Sequence, residues 1–411
     1  MSAAASDEGP TLAEAVEGAY PGWLMLGAAG LIPLLAYLGN LGFAPLTAIV
    51  GVICLPLLAR GRAPSIGMAM LAALLAWGLI STAWSPVAPV APHFHRYKEV
   101  EPLTWLKLIL QLPLYGAFVF AASRTSPALA RRAVVVLGVG LALLGLLLLI
   151  EGLDSAAAYQ WIKAHVGDAT RPDLARRNVA RACYVLALFA WPGGLMLWRC
   201  RLKPLSIVIA VVALAAPVLL GVDAPLAAML VSLAAFLLVR FAGQIGVYLM
   251  MAGTTVYFAF APMLLTMGGA VGGKASWSAR RAIWRFVADR IYENPLRGWG
   301  LDASRSLPEP VPLHPHDGAL QLWFELGLPG VLLAALFWAW ILWSLARVEA
   351  RDRTLAAVGA ASASAYLVIG ALSFGIWQEW WLALGALTAG VFALSNVSSA
   401  AHVHTRPAYY L

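Results

Sequence analysis

Long apolar segments alternate with short polar ones along almost the whole chain. About twelve windows of roughly 20 residues are nearly free of charge, which is the length a helix needs to cross the hydrocarbon core of a bilayer. They lie near residues 21–38, 43–59, 65–84, 104–122, 128–150, 180–198, 204–221, 224–241, 244–266, 319–345, 355–373 and 379–396. The pattern therefore predicts an all-α polytopic membrane protein with about 12 transmembrane helices.

The composition agrees with this prediction and excludes several other classes of protein. Hydrophobic residues make up 61% of the 411 residues and charged residues only 12%, against roughly 25% charged in an ordinary soluble domain. These values exclude a soluble enzyme, a disordered chain and a small secreted domain held together by disulfides. The three cysteines, Cys54, Cys183 and Cys200, have no metal-ligand spacing. We therefore expect residues 1–411 to form a single integral membrane domain.

The distribution of lysine and arginine predicts the orientation, because short cytoplasmic loops are enriched in these residues. If the N-terminus is cytoplasmic, the short outer connections near 39–42, 221–224 and 374–378 contain neither residue. The short inner connections contain Arg60, Arg62, Arg124, Arg131, Arg132, Arg199, Arg201, Lys203, Arg240, Arg347, Arg351 and Arg353. Both termini are therefore predicted to be cytoplasmic.

Two longer loops on the predicted outer side, 151–180 and 267–318, are also basic. They carry Lys163, Arg171, Arg176, Arg177, Lys274, Arg280, Arg281, Arg285, Arg290, Arg297 and Arg305, and Arg181 lies just inside the span that follows the first loop. Long loops are exempt from the orientation rule, so these residues do not contradict it. Guanidinium groups match the geometry of phosphate oxygens, and the loops therefore favour a polyanionic ligand.

Within the larger outer loop, residues 275–293 are predicted to form a helix. Its apolar stripe consists of Trp277, Trp284, Ala288 and Ile291, which recur at helical spacing. Arg281 and Arg285 are neighbours on another face. One interpretation is an interfacial helix with its Trp residues among lipid headgroups and its arginines on lipid phosphates. The other is a substrate site.

A pair of histidines, His314 and His316, stands at the outer end of the tenth predicted span and favours the substrate site. Neutral imidazole is the side chain that acts as a base near neutral pH. Pro315 between them stiffens the turn, and we expect it to point the two rings in different directions.

A metal site is the competing interpretation of the histidines. Six of the seven form His-x-His pairs, at His93 and His95, His314 and His316, and His402 and His404. The first two pairs lie in predicted outer loops and offer imidazole ligands for zinc, whereas the third is predicted to be cytoplasmic. The spacing alone is unspecific, and we expect no metal and no other cofactor.

Ionisable residues inside predicted spans are further candidates, because they are costly in a bilayer. Glu325 lies in the tenth span, one turn beyond Gln321, and is explained equally by a hydrogen bond between helices. Lys107 and Glu379 lie near the outer ends of their spans, where side chains also extend to the interface without any functional role.

Three motifs give the chain a resemblance to a known family. The segment from His316 to Gly327 is similar to a signature with a His, a small polar residue and a Gly eleven positions after the His, with Asp317 in place of Asn, Ser or Gln. Residues 278–284 match a Ser-Gly-Arg…Trp element, with Ala279 in place of Gly. Residues 294–300 match an Asn-Pro-Leu-x-Gly-x-Gly turn.

With these motifs the chain resembles the O-antigen ligase and O-antigen polymerase superfamily of bacterial envelope glycosyltransferases, most of all the O-antigen ligase. The resemblance covers about 270–345 well, and residues 177–181 match more loosely. It implies a GT-C-like membrane glycosyltransferase architecture, in a multi-pass protein of the bacterial inner membrane with a periplasmic active site.

The resemblance also implies an activity. The donor would be a glycan on undecaprenyl pyrophosphate, the acceptor a sugar hydroxyl of the lipid A–core, and the reaction inverting and independent of metal. His316 would be the general base and Arg280 the main catalytic arginine. The expected substrate-binding residues are Arg281, Arg177, Arg181, Arg285, His314 and Asp317.

Other functions remain open at this point. An O-antigen polymerase and a protein O-oligosaccharyltransferase use the same donor and differ in the acceptor, which the sequence barely encodes. A transporter for the lipid-linked glycan belongs to a different class. The concentration of charge in two outer loops argues against it, because a translocation path needs polar groups along the span interiors.

Overall fold

The structure is a computed structural model and describes residues 12–59, 65–87, 103–168, 170–267 and 275–404. Within these ranges all regular structure is helical. The α-helices are α1 (Leu12–Leu38), α2 (Phe43–Ala59), α3 (Ile66–Ser81), α4 (Thr104–Ser123), α5 (Pro127–Leu153), α6 (Ala157–His165), α7 (Pro172–Ala180), α8 (Ala182–Arg199), α9 (Lys203–Leu220), α10 (Asp223–Met267), α11 (Ala275–Glu293), α12 (Gly318–Glu349), α13 (Arg353–Leu372) and α14 (Glu379–His404).

The described part of the chain contains eleven helical segments long and apolar enough to cross a membrane. Large apolar side chains lie on their outer surfaces, among them Trp23, Leu41 and Phe241 at 60%, 77% and 76% exposed. Such exposure is costly in water and typical of a surface that faces lipid. The prediction of an all-α polytopic membrane protein is confirmed.

The difference between twelve predicted windows and eleven segments has one cause. The windows 224–241 and 244–266 form the single helix α10, which bends at Gly243, where φ is 61° and ψ is −133°. A straight helix of 45 residues would extend about 67 Å, more than twice the hydrocarbon thickness of a bilayer. The bend divides it into two parts, each of a length suited to one crossing.

The described residues divide into two compact units, those that lie within 1–61, 114–219 and 386–411 and those that lie within 62–113 and 220–385. In the first unit α5 packs against α1 and α8. The predicted loop 151–180 of this unit contains the short helices α6 and α7. In the second unit α10 packs along α12 and α13, and α11 packs on α10 and α12.

The second unit contains the predicted helix 275–293, which is confirmed as α11. It also contains the histidine loop 314–317 and the connection 373–378 between α13 and α14. Some sequence candidates lie outside the described residues: His93, His95, Lys274 and the side chains of His402 and His404.

Candidate active site

The histidine loop leads directly into α12 through Asp317. One carboxylate oxygen of Asp317 accepts the N–H of Leu320 at 2.8 Å and so caps the helix, and the other accepts a hydrogen bond from the Tyr257 hydroxyl of α10. Burial raises the pKa of Asp317 to about 6, and these hydrogen bonds oppose the rise. The fully buried Asp317 therefore fixes the start of α12, and its contact with substrate stays a prediction.

His316 is held in one protonation state by its neighbours. Its Nδ1 lies 2.8 Å from the carbonyl oxygen of Ser373, which only accepts hydrogen bonds, so Nδ1 carries the proton. Burial lowers the pKa of His316, the charge of Arg280 lowers it further, and the bond to Ser373 opposes both. The ring is therefore neutral at neutral pH, and the lone pair on Nε2 is available to accept a proton.

His314 is bonded differently. Its Nδ1 accepts the backbone N–H of His316 at 3.2 Å, so this nitrogen is already used. Burial, followed by the charges of His316 and Arg305, lowers the pKa of His314 to about 3. His314 is thus a neutral ring that supports the backbone of His316.

The rings of His314 and His316 are in contact with each other, and the expectation that Pro315 points them in different directions stays a prediction. The ring centroids of His314 and His316 are 4.4 Å apart, with an angle of 65° between the ring planes. The reason is the backbone of His316, whose φ of 57° lies in the left-handed region and turns the chain back on itself. The two histidines form one compact pair.

Helix α11 packs inward over this pair. Trp284 is only 6% exposed, and its indole N–H donates to the carbonyl of Pro315 at 3.1 Å. Ile283, Val287 and Ile291 join it in an apolar cluster with Leu320 and Phe324 of α12. The expectation that the Trp side chains of α11 lie among lipid headgroups is therefore wrong for Trp284. The first half of α12 provides an apolar surface, and Trp284 is buried against it. Trp277 is half-buried against the same cluster.

The predicted arginines of α11 take different positions. Arg280 is half-buried with its guanidinium 5.4 Å from the ring centre of Trp277, and its charge acts on His316. Arg281 is half-buried, and Arg285 is exposed. The structure thus brings Arg280 to the histidine pair.

Arg177 and Arg181 belong to the other compact unit. Arg177 lies in the last turn of α7, and Arg181 joins α7 to α8. Both side chains are exposed. Their part in the site stays a prediction.

The connection 373–378 forms a wall of the site and is hydrogen-bonded both to the histidine loop and to α12. Ser373 accepts from His316, as described above. The N–H of Ile376 donates to the Gln321 amide oxygen at 2.9 Å, and the Trp377 indole donates to Glu325 at 2.6 Å. The sequence gives no signal for Ser373 or Tyr257, because each reaches the histidine loop from a remote helix.

Glu325 is a structural centre of this region. Its carboxylate is fully buried and also accepts from the Gln321 amide at 3.0 Å, the Asp302 backbone N–H at 3.1 Å and the Ser304 hydroxyl. All of these partners are donors within the protein. Glu325 is therefore better explained as a structural residue that hydrogen-bonds several elements together than as a reacting group.

The turn 294–300 supports α12 where that helix breaks. At Gly327, φ is 61° and the helix hydrogen bonding is interrupted. The N–H groups of Trp299 and Gly300 donate to the carbonyls of Phe324 and Glu325 at 2.8 and 2.7 Å. A Cβ on Gly327 would lie 2.5 Å from the backbone nitrogen of Gly298, and a Cβ on Gly298 would lie 2.5 Å from that of Gly327. Two sequence motifs that are distant in the chain therefore form one structural unit.

Lys107 and Glu379 form an ion pair with a distance of 2.8 Å between Nζ and Oε1. One interpretation of the sequence was that each side chain extends separately to the membrane interface. The ion pair contradicts that interpretation. Within the described ranges, no group of three or more His, Cys, Asp or Glu side chains is arranged to hold a metal ion. The four-histidine zinc hypothesis includes His93 and His95, which lie outside those ranges.

Comparison with known proteins supports the resemblance. Residues 206–335 match the family model described as O-antigen ligase, and this region contains α11, the turn, the histidine pair and Gly327. A protein of Rickettsia conorii named "Putative polysaccharide ligase" is 33% identical over 120 residues, which are 26% of this chain and 29% of the relative. A protein of Rickettsia typhi with the same description is 33% identical over 129 residues, 27% of this chain and 31% of the relative.

The matched region thus spans less than a third of either curated relative. The protein is a multi-pass, all-α membrane protein, and its residues 206–335 are similar to the O-antigen ligase family. Arg177 and Arg181 lie outside the matched residues.

Proposed function

We propose that the protein is a membrane glycosyltransferase of the O-antigen ligase type. It transfers a glycan from undecaprenyl pyrophosphate to a sugar hydroxyl of the lipid A–core, at the periplasmic face of the bacterial inner membrane. The single observation that carries the proposal is His316, a neutral imidazole within reach of the charge of Arg280, whose Nε2 has no hydrogen-bond partner among the described residues. The match of residues 206–335 to the O-antigen ligase family supports the reaction class.

His316 acts as the general base. The acceptor hydroxyl oxygen attacks the anomeric carbon of the donor sugar, and its proton passes to Nε2 of His316. The bond between the anomeric carbon and the pyrophosphate oxygen breaks, and undecaprenyl pyrophosphate leaves with the electron pair. Attack from the side opposite the leaving group inverts the anomeric configuration.

The arginines stabilise the leaving group. Pyrophosphate is already a stable anion, so no general acid is needed to protonate it. In this proposal Arg280 is the main contact of the pyrophosphate. Arg281 and Arg285 on the same helix are further contacts, as are Arg177 and Arg181. A guanidinium holds two phosphate oxygens at once and stabilises charge as it develops.

The test combines three variants of the purified protein, supplied with lipid-linked donor and acceptor. His316→Ala should lower the rate of transfer at least ~10²-fold, since a general base contributes about that much, while donor binding persists. His316→Gln should be as inactive, because Gln can bond to Ser373 but cannot take the proton. His314→Ala should keep measurable transfer. An active His316→Gln protein together with an inactive His314→Ala protein would assign the base to His314 instead.

Deletion of the gene distinguishes an O-antigen ligase from the two other enzymes that use the same donor. Loss of long-chain lipopolysaccharide with accumulation of lipid-linked polymer is the expected result for a ligase. Core carrying a single repeat unit would instead indicate a polymerase. Normal lipopolysaccharide with unglycosylated secreted protein would indicate a protein O-oligosaccharyltransferase.

A further inference from the structure

A polar cluster lies beside the histidine pair, where α14 begins next to α4. Glu379 forms the ion pair with Lys107 and also accepts from the Gln111 amide at 3.3 Å. The preceding residue, Gln378, has its amide nitrogen 3.4 Å from Nε2 of His314. We call Lys107, Gln111, Gln378 and Glu379 the Lys107 cluster. It is continuous with the site through His314.

The Lys107 cluster differs in charge from the arginine side of the site. Its ion pair is neutral overall, and its other members are amides, which both donate and accept hydrogen bonds. The side chains of Lys107 and Glu379 are 15% and 24% exposed, so a ligand can reach them. A pyrophosphate would be repelled by Glu379 here, whereas sugar hydroxyls bond equally well to amides, carboxylates and ammonium groups.

One acceptor in the Lys107 cluster lacks a donor. The amide oxygen of Gln111 has no hydrogen-bond partner in the described part of the chain. A buried acceptor left without a donor costs about 1–3 kcal/mol. A sugar hydroxyl group supplies the donor that the Gln111 oxygen lacks.

The direction of an inverting displacement places the two substrates on different sides of the site. The nucleophile must approach opposite the leaving group, and the base must lie beside the nucleophile. Arg280 acts on the histidine pair from α11, whereas Ser373 and Gln378 contact it from the connection between α13 and α14. The Lys107 cluster lies on α4, the end of that connection and the start of α14, none of which carries the pyrophosphate-binding arginines.

We propose that the Lys107 cluster is the subsite for the acceptor sugar, and that it holds the sugar through hydroxyl groups next to the reacting one. The inference rests on the proposed function, because the subsite binds the acceptor of the proposed reaction. Gln378 and Gln111 determine acceptor affinity, and Glu379 of the ion pair holds the Gln111 amide by accepting its N–H.

The experiment uses the full-length protein in lipid nanodiscs and two probes, lipid-free core oligosaccharide and undecaprenyl pyrophosphate. Gln378→Leu and Gln111→Leu should each weaken binding of the oligosaccharide about threefold to tenfold, the effect of one lost hydrogen bond. Binding of undecaprenyl pyrophosphate and kcat at saturating acceptor should stay within about twofold of wild type. Gln244→Leu, an exposed position on α10, is the matched control and should change neither.

Exchanging the charges of Lys107 and Glu379 distinguishes an effect on sugar binding from an effect on folding. The double variant Lys107→Glu, Glu379→Lys keeps an ion pair, so it should fold with the thermal stability of wild type. Its affinity for the oligosaccharide should nevertheless be lower than that of wild type, because an ammonium group at position 379 cannot accept the N–H of Gln111. Recovery of full affinity in the exchanged protein would show that the pair is only structural and overturn its role. Equal oligosaccharide binding by wild type and both Leu variants would overturn the subsite alone. Failure of the wild type itself to bind the oligosaccharide, with normal binding of undecaprenyl pyrophosphate, would overturn the acceptor in the proposed function and the subsite with it.

Discussion

At His316 one hydrogen bond decides which nitrogen is available for chemistry. The Ser373 carbonyl takes the proton-bearing Nδ1, whereas in His314 it is Nδ1 that accepts a bond from the backbone. Two identical side chains, two residues apart, are therefore left with opposite tautomers. Sequence can find the pair but cannot assign these roles, because the assigning contact comes from a residue 57 positions away.

The proposed base predicts the pH dependence of transfer. Protonation removes the lone pair of His316, so kcat/KM should fall as the pH falls through its pKa. Burial and Arg280 lower this pKa from its usual value of about 6.5, so the acid limb should lie below pH 6.5. A pH–rate profile of the wild-type protein measures it, and an acid limb above pH 7 would contradict the assignment.

The pH–rate profile also tests whether the charge of Arg280 acts on His316. Arg280→Met removes a positive charge that lowers the pKa of His316, so the acid limb of the residual activity should move to higher pH. Arg305 acts on His314 rather than on His316, and Arg305→Met is the matched control whose limb should not move. Equal shifts in both variants would mean that the limb reports a different group.

Arg280 is also predicted to be intolerant of a change that keeps its charge. Arg280→Lys should lose most transfer activity, because an ammonium group cannot hold two phosphate oxygens in one plane. Arg290→Lys on the same helix should be near wild type, since Arg290 is exposed and paired with Glu293 at 3.0 Å. Rates of transfer at matched expression compare the two. Full activity of Arg280→Lys would favour a lipid-anchoring role for α11.

At the scale of elements, the break in α12 and the turn 294–300 depend on each other. The carbonyls freed at the break are satisfied by the turn, and Gly298 and Gly327 let the two backbones approach. This arrangement also places Glu325 and Gln321 where they bind the connection 373–378. The histidine loop is therefore held by buried hydrogen bonds on the α12 side and by Trp284 on the other side.

Gly327→Ala should destabilise the protein by more than about 1–2 kcal/mol, because a Cβ in the left-handed region costs that much before its contact with Gly298 is counted. Gly253→Ala in α10 has no atom within 4 Å of the added carbon and should be neutral or slightly stabilising. Thermal unfolding in one detergent compares them. Equal midpoints would show that the turn does not constrain α12.

The elements were more predictable than their contacts. Helix 275–293, its apolar stripe and the spans follow from periodicity, which is local. The inward packing of Trp284 was missed because a Trp-rich stripe fits a lipid interface and a protein surface equally well. The Lys107 and Glu379 pair was missed because the two residues are distant in sequence. Tertiary packing decides which helix covers a given apolar face. The pattern of a single sequence does not contain this information.

At the scale of the whole molecule, the orientation in the membrane decides whether the proposed donor can reach the site. The C-terminal end of α12 and the start of α13 carry Arg347, Arg351 and Arg353, a charge pattern typical of the cytoplasmic side. The histidine loop precedes the other end of α12. The part of α12 after the break at Gly327 has 22 residues and extends about 33 Å, which is by itself long enough to cross the hydrocarbon core of a bilayer.

Cysteine labelling tests this orientation at both ends of α12. In a background with Cys54, Cys183 and Cys200 replaced by Ala, Tyr292→Cys should react with a membrane-impermeant maleimide in intact spheroplasts, because Tyr292 is 60% exposed on α11. Ala350→Cys, also exposed, should react only after the membrane is permeabilised. Labelling of Ala350→Cys in intact spheroplasts, with protection of Tyr292→Cys, would place the histidine pair on the cytoplasmic side. The pair would then face away from a periplasmic acceptor, and the ligase proposal would fail regardless of the chemistry of His316.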